Sequence, residues 1–229
     1  MQNHLKELLH HYPHLLTAPV LDLGAGRGRF LIELTLMGGK GEGLEFNKEY
    51  IKEAEKRAKE AGVSITLREG RGEALPFKDA SFAFANLSEV IEHVEDPKKV
   101  LSELHRVLLP GGGAYMSVPN RFGLRDPHYH LYFINWLPRT VAETILRFLG
   151  KIKEEQGEAG RQKLSDMHYM IFSKVVSLCH DQGFSVVDIR EKKLKEKFPS
   201  PLVHFFARRA YKIARTCYFD SFHLLITRP

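Results

Sequence analysis

Three glycines alternate with other residues directly behind an aspartate. Asp22-Leu23-Gly24-Ala25-Gly26-Arg27-Gly28 follows the apolar pair Val20-Leu21, and Glu45 ends the next apolar run, 23 residues after Asp22. A turn without side chains lets a ligand approach the backbone closely, and a carboxylate at the tip of the neighbouring strand can accept from both hydroxyls of a ribose. The spacing is Gly-x-Gly-x-Gly, not the Gly-x-Gly-x-x-Gly that suits a pyrophosphate-bridged dinucleotide. The chemistry indicated is therefore binding of a nucleoside cofactor that lacks phosphates. Downstream, His93, His130 and His168 are candidate bases, because histidine titrates near neutral pH.

Such residues need strand tips to hold them, and the apolar pattern supplies these. Val20–Leu23 reads as a short strand, 29–37 as a helix ended by Gly38-Gly39, 43–46 as a second strand and 49–61 as a charged surface helix closed by Gly62. A third strand at 64–68, a fourth at Phe82–Leu87, an amphipathic helix at 96–109 and a fifth strand at 114–118 continue the alternation. Strands alternating with helices imply a mostly parallel sheet covered on both faces. After Pro119-Asn120 the rhythm breaks into a Pro- and aromatic-rich stretch, an apolar helix at 140–149 and a charged run at 151–163. A helix at 165–181, a strand at 184–189, a basic helical stretch at 202–215 and a last strand at 222–227 follow. The expected organisation is one domain over residues 1–229. Within it, 18–120 form the cofactor-binding core, 121–164 a helical cap inserted after a strand C-terminus, and 165–229 the rest of the sheet.

Composition narrows the class. The 229 residues are 43% hydrophobic and 27% charged, ordinary for a water-soluble domain with a substantial core. No apolar run approaches the roughly 18 residues of a membrane span, and the first residues lack the layout of a secretory signal. Cys179 and Cys217 form neither a disulfide framework nor a metal-ligand spacing, so a reducing cytoplasmic setting is expected. The formal charge of +6 is unevenly placed, because residues 1–120 carry 15 Lys/Arg against 17 Asp/Glu and residues 121–229 carry 19 against 11. Nine basic residues fall between Arg190 and Arg215. They form either a solvated helix face or a patch for an anionic partner.

Several further motifs stand in register with the glycine loop: Gly43-Leu44-Glu45-Phe46, Glu73-Ala74-Leu75-Pro76-Phe77 with Ser81-Phe82, Glu89-Val90-Ile91-Glu92-His93-Val94-Glu95-Asp96-Pro97, the run from Leu101 to Gly112, and Ser117-Val118-Pro119-Asn120. Together these residues resemble the class I S-adenosylmethionine-dependent methyltransferases, in particular the group that includes quinone-biosynthesis and other small-molecule methyltransferases. The resemblance covers about residues 18–120. It implies an α/β, Rossmann-like, doubly wound seven-stranded sheet with an antiparallel last strand, S-adenosylmethionine as cofactor, and methyl transfer as the activity. It also implies roles. Gly24, Ala25, Gly26, Arg27 and Gly28 line the methionine portion, with Asp22 supporting that loop or meeting the amino group through water. Glu45 takes the ribose hydroxyls, Phe46 flanks the adenine, and Asn47 beside it, with Leu87 and Ser88 at the fourth strand's end, also belongs to the cofactor site. At the position of Arg71 the family usually carries an acidic residue that accepts from the adenine amino group. Arginine only donates, so either Arg71 stacks on the ring while Gly72 and Glu73 offer backbone groups, or Glu73 substitutes.

The acceptor expected is a small organic or lipid-like molecule, anionic or aromatic in character. His93 either acts as a base or braces the loop before Asp96-Pro97. His130 lies in an aromatic segment that suits a flat acceptor or forms the cap's own core, and His168 either reacts or caps a helix. His128, His130 and His168 have no recognised ligand spacing, so no metal is expected. In the basic stretch, Leu202, Phe206, Ala210 and Ile213 recur at helical spacing, which suits a helix covering the sheet or one resting on an anionic membrane. Nucleic-acid methylation is the competing enzymatic reading, suggested only by the basic second half. A non-catalytic cofactor-binding protein is the competing class.

Overall fold

The computed structural model describes residues 3–151 and 164–229, so all but the first residue of the expected charged run lies outside the described residues. Seven strands form one sheet: β1 (Val20–Leu23), β2 (Gly41–Glu45), β3 (Thr66–Glu69), β4 (Phe82–Leu87), β5 (Leu108–Pro119), β6 (Ser185–Asp188) and β7 (Ser221–Thr227), in the order β3-β2-β1-β4-β5-β7-β6. The first five run parallel, and β7 pairs antiparallel with both β5 and β6. Strand order reverses between β1 and β4, which opens a crevice beyond their C-terminal ends, where ligands bind in open α/β sheets.

The helices are α1 (Asn3–His11), α2 (Arg29–Leu36), α3 (Lys48–Glu60), α4 (Pro97–Val107), α5 (Arg139–Phe148), α6 (Phe172–Asp181), α7 (Ile189–Lys197) and α8 (Pro201–Cys217). Local chemistry sets several starts. The side chain of Asn47 accepts from the N–H groups of Glu49 and Tyr50 at the head of α3, and Asp96 does the same for Lys98 and Lys99 at α4, where proline occupies the first turn. All four residues of β1 are buried, as a strand covered on both faces requires. On one face Leu21, Leu23 and Leu87 pack with Leu101 and Leu104 of α4 and Val175 of α6. On the other, Val20, Phe84 and Tyr115 pack with Phe30 and Leu34 of α2 and Leu5 and Leu8 of α1. A third, smaller core belongs to the inserted region and joins Tyr129, Ile134, Ala142, Leu146, Leu164 and Tyr169.

β5 begins at Leu108, six residues before the expected 114, and three further elements differ from the sequence expectation. α1 was not foreseen, although Leu5 and Leu8 recur at helical spacing and are fully buried. α7 also adds itself, because a helix with only Ile189 buried shows almost no apolar periodicity. The expected helix at 165–181 begins only at Phe172. Its first seven residues bond to the strand ends instead: the Arg121 N–H donates to the Met170 carbonyl at 3.0 Å, and Met170 forms a parallel bridge with Asn120. Among the described residues no helix is long and apolar enough to cross a membrane.

Candidate active site

The glycine loop folds back against β2. Gly24 and Ala25 donate their N–H groups to the Leu44 carbonyl at 2.9 and 3.0 Å. Gly24, Gly26 and Gly28 all adopt left-handed backbone, with φ of +71°, +52° and +72°, a region that strains L side chains. A Cβ at Gly24 would also stand 2.6 Å from the Val90 side chain, so the close approach excludes any larger residue. The loop in turn locks Glu45. One carboxylate oxygen accepts from the Gly26 N–H at 2.8 Å and the other from the Asn47 N–H at 2.9 Å. Each oxygen keeps acceptor capacity for a ligand. The carboxylate is buried and its direction is fixed before any ligand arrives.

These groups edge a cavity of about 690 Å³ at the strand tips, within the size range of cofactor sites. It brings together Gly24, Gly26, Glu45 and Phe46 with Arg71, Gly72 and Glu73, and with His93 and His168. Arg71 reaches Glu95 at 2.5 Å, and its guanidinium lies 6.0 Å from the Phe46 ring centroid. Glu73 accepts the Glu95 N–H at 2.9 Å, so part of its acceptor capacity is spent on the loop before α4.

Other expected residues do not face the cavity, for identifiable reasons. Asp22 sits behind the loop and accepts from the Asn86 amide at 2.8 Å. Burial pushes its carboxyl up to about 7, opposed by that hydrogen bond and reinforced by Glu45. Arg27 turns away to pair with Glu53 at 2.6 Å over the Tyr50 ring. Ala25 and Gly28 are buried in the loop's underside, where a Cβ at Gly28 would meet Ala54 at 2.9 Å. Asn47 is committed to capping α3, and Leu87 lies in the core. Ser88 is half-buried and is not part of the cavity lining, although its neighbour Glu89 is. His130 is exposed, with φ of +58°, and its N–H donates to the Asp126 carbonyl. It shapes a turn, a conformation that histidine tolerates better than most residues.

Beside the expected His168, the cavity collects Asp166 and Glu89, which the sequence did not single out as site residues. Because 165–171 is not helical, Asp166 and His168 reach the cavity wall, and the His168 N–H donates to the Glu92 carbonyl at 2.9 Å. Glu89 lines the cavity with a left-handed φ of +57°, a strained state for a side-chain-bearing residue. Behind it Glu92 is fully buried, and among the described residues neither carboxylate oxygen has a hydrogen-bond partner. At 3.5 Å its Oε1 makes an ion-pair contact with His128 Nε2. Burial disfavours charge on that imidazole, but the Glu92 carboxylate prevails and raises its pKa. The His128 ring stands 5.1 Å from that of His93. One donor atom each from Glu92, His93 and His128 lies within 4.8 Å of the others, a donor set that a divalent cation can use. Asp126 fixes His128 by accepting its N–H at 2.9 Å and the Tyr169 hydroxyl at 2.9 Å. The signal for this cluster is legible in hindsight: Glu89-Val90-Ile91-Glu92-His93 places three ionisable groups in an otherwise apolar stretch.

Comparison with known proteins matches residues 21–116 to a methyltransferase domain family. The chain is 32% identical over 174 residues to a ubiquinone biosynthesis O-methyltransferase of Chromobacterium violaceum, covering 71% of this chain and 73% of that protein. The chain belongs to the class I S-adenosylmethionine-dependent methyltransferases. A demethylmenaquinone methyltransferase of Bacillus velezensis is 38% identical over 128 residues, 53% of this chain and about half (54%) of that protein's length. The crystal structure of an S-adenosylmethionine-dependent methyltransferase from Mesorhizobium loti superimposes with a TM-score of 0.63 over 97% of this chain and 96% of that one, at 16% identity, which shows the common fold. The chain is thus a methyltransferase with S-adenosylmethionine as its cofactor, and the residues on hand fit that group. A fixed carboxylate with open acceptor sites suits a ribose diol, and side-chain-free loop positions leave room against the backbone. The carboxylates of Glu45, Glu73, Glu89, Glu95 and Asp166 against Arg71 suit a cation.

Proposed function

We propose that this methyltransferase acts on a small hydroxylated aromatic acceptor of the quinol or catechol class, held in the part of the cavity walled by His93, Asp166 and His168. The observation that carries the proposal is the sharing of one cavity by a preset ribose-binding carboxylate, Glu45, and two imidazoles with acidic neighbours. The two named relatives, concerned with ubiquinone and menaquinone, support the acceptor class. The preponderance of carboxylates favours an uncharged acceptor over the anionic one also considered, since an anion would meet like charges there.

When bound, S-adenosylmethionine supplies an electrophilic methyl group whose transfer leaves its sulfur as a neutral thioether. Glu45 would hold the ribose, Gly24 and Gly26 would let the methionine portion approach the backbone, and Phe46 and Arg71 would flank the adenine, with Gly72 and Glu73 at its edge. Asp22, Ala25, Arg27, Gly28, Asn47, Leu87 and Ser88 act from behind, setting loop, cap and wall. His93 would take the proton that the acceptor hydroxyl loses. Glu92 and His128 position His93 from the buried side, and His168 orients the acceptor. Orientation supplies most of the rate, and a positioned base adds about 10²–10⁴-fold. The setting is that of a cytoplasmic enzyme meeting a lipid-like acceptor at a membrane surface.

The test is methyl transfer from labelled S-adenosylmethionine to catechol and hydroquinone acceptors. His93→Gln should lower kcat by at least about 10²-fold while leaving cofactor affinity near that of the parent. Cofactor binding without transfer to any such acceptor would refute the acceptor class.

A further inference from the structure

β6 and β7 are adjacent antiparallel strands, paired from Ser185–Thr227 to Asp188–Leu224. Such neighbours need only a tight turn between them. Here residues 189–220, carrying α7 and α8, occupy the connection. The pairing leaves the sheet no topological need for these helices, and α8 contributes little to its core. Its one buried side chain is Tyr211, whose hydroxyl donates to Asp188 at 2.7 Å. The face turned to the domain is completed by the half-buried His204, Ala207 and Arg215.

The apolar stripe legible in the sequence lies on the opposite side. Leu202, Phe206 and Ile213 are 68%, 61% and 72% exposed, and Phe205 beside them is 49% exposed. Four large apolar side chains along one helix therefore stand in water, which a helix serving only as cover would not arrange. Arg209 and Lys212 share this outward side, and the Arg209 guanidinium lies 5.4 Å from the Phe205 ring centroid. Neither has a carboxylate partner among the described residues, whereas Arg208 and Arg215 are neutralised by Glu191 and Asp188. The preceding α7 adds Lys192, Lys195 and Lys197.

We infer that α8 is an interfacial docking helix that lays Leu202, Phe205, Phe206 and Ile213 into the surface of an anionic lipid bilayer, with Arg209 and Lys212 at the headgroups. An apolar face flanked by basic residues is the composition that lies in a membrane interface, and anionic headgroups complement the charge. A second copy fits poorly, because a two-fold contact through this face would oppose like charges. The inference deepens the proposed function, which gives a lipid-like acceptor as the reason for docking, but it does not depend on turnover.

The test is co-sedimentation of the full chain with phosphatidylcholine vesicles, with and without phosphatidylglycerol, in low and high salt. Cofactor affinity is measured in solution alongside. We expect binding to the anionic vesicles that weakens in salt, and a loss of about fivefold for each of Arg209→Gln and Lys212→Gln. The double variant Phe206→Ser, Ile213→Ser should lose binding by at least about 10-fold, with the helical circular dichroism and cofactor affinity of the parent. Absence of vesicle binding by the parent, equal binding by the double variant, or a concentration-dependent dimer abolished by Phe206→Ser would overturn the inference. None of these results bears on methyl transfer to a soluble acceptor.

Discussion

At the residue scale, the site runs on carboxylates put to different uses by their surroundings. Glu45 is aimed by two backbone donors, whereas Asp22 and Glu92 are buried behind the cavity. Asp22 has a pKa of about 7 in the folded chain, raised first by burial. Between its ordinary value of 3.8 and about 7 the folded chain keeps a proton that the unfolded chain has released. Stability should therefore fall as pH rises through that window and level off above it. Asp22→Asn should remove this slope, as denaturant titrations at pH 5 and 8 would show. The raised pKa of His128 is tied to Glu92. In Glu92→Gln its NMR titration should fall, because burial is then opposed only by the more weakly acting Asp126 and Glu89. An unchanged His128 titration would remove Glu92 from its positioning role. Glu45 and the glycine loop were legible because their chemistry depends on close sequence spacing. The Glu92–His128 pair was not, since its partners are 36 residues apart and meet only when the inserted region packs against the segment after β4.

At the element scale, the same contrast recurs. The β-strands and α2 to α5 follow from apolar alternation and capping signals such as Asn47 and Asp96. The segment 165–171 did not, because most of its backbone hydrogen bonds go to Pro119, Arg121 and Glu92 rather than to the next turn of a helix. That non-helical strap carries Asp166 and His168 to the cavity, so the local misreading and the missed site residue share one cause. Tyr169 anchors the strap through its hydroxyl on buried Asp126. Tyr169→Phe leaves that Asp126 oxygen without the donor and should cost about 1–3 kcal/mol, read as a lowered midpoint in urea. Gly28→Ala should destabilise by at least about 1 kcal/mol, since it forces a left-handed alanine against Ala54. A parent-like midpoint in either variant would contradict the packing described.

At the scale of the whole molecule, the chain divides its tasks along the sheet. The tips of β1, β2 and β4 hold the cavity, the inserted region builds its own small core, and the β6–β7 connection turns an apolar, basic helix outward. A ligand that bridges the glycine loop, β2 and the β4 loop should stabilise the fold as a unit. At a hundredfold excess over Kd, S-adenosylmethionine should add about 2.7 kcal/mol and raise Tm by roughly 5–10 °C, measurable by scanning calorimetry. The most direct measurement is an isothermal titration of S-adenosylmethionine into the parent and into Glu45→Gln. We expect one saturable site in the parent and affinity about 10–100-fold weaker in the variant, with the fold intact by circular dichroism. No binding by the parent, or equal affinity in both proteins, would contradict the placement of the cofactor over Glu45.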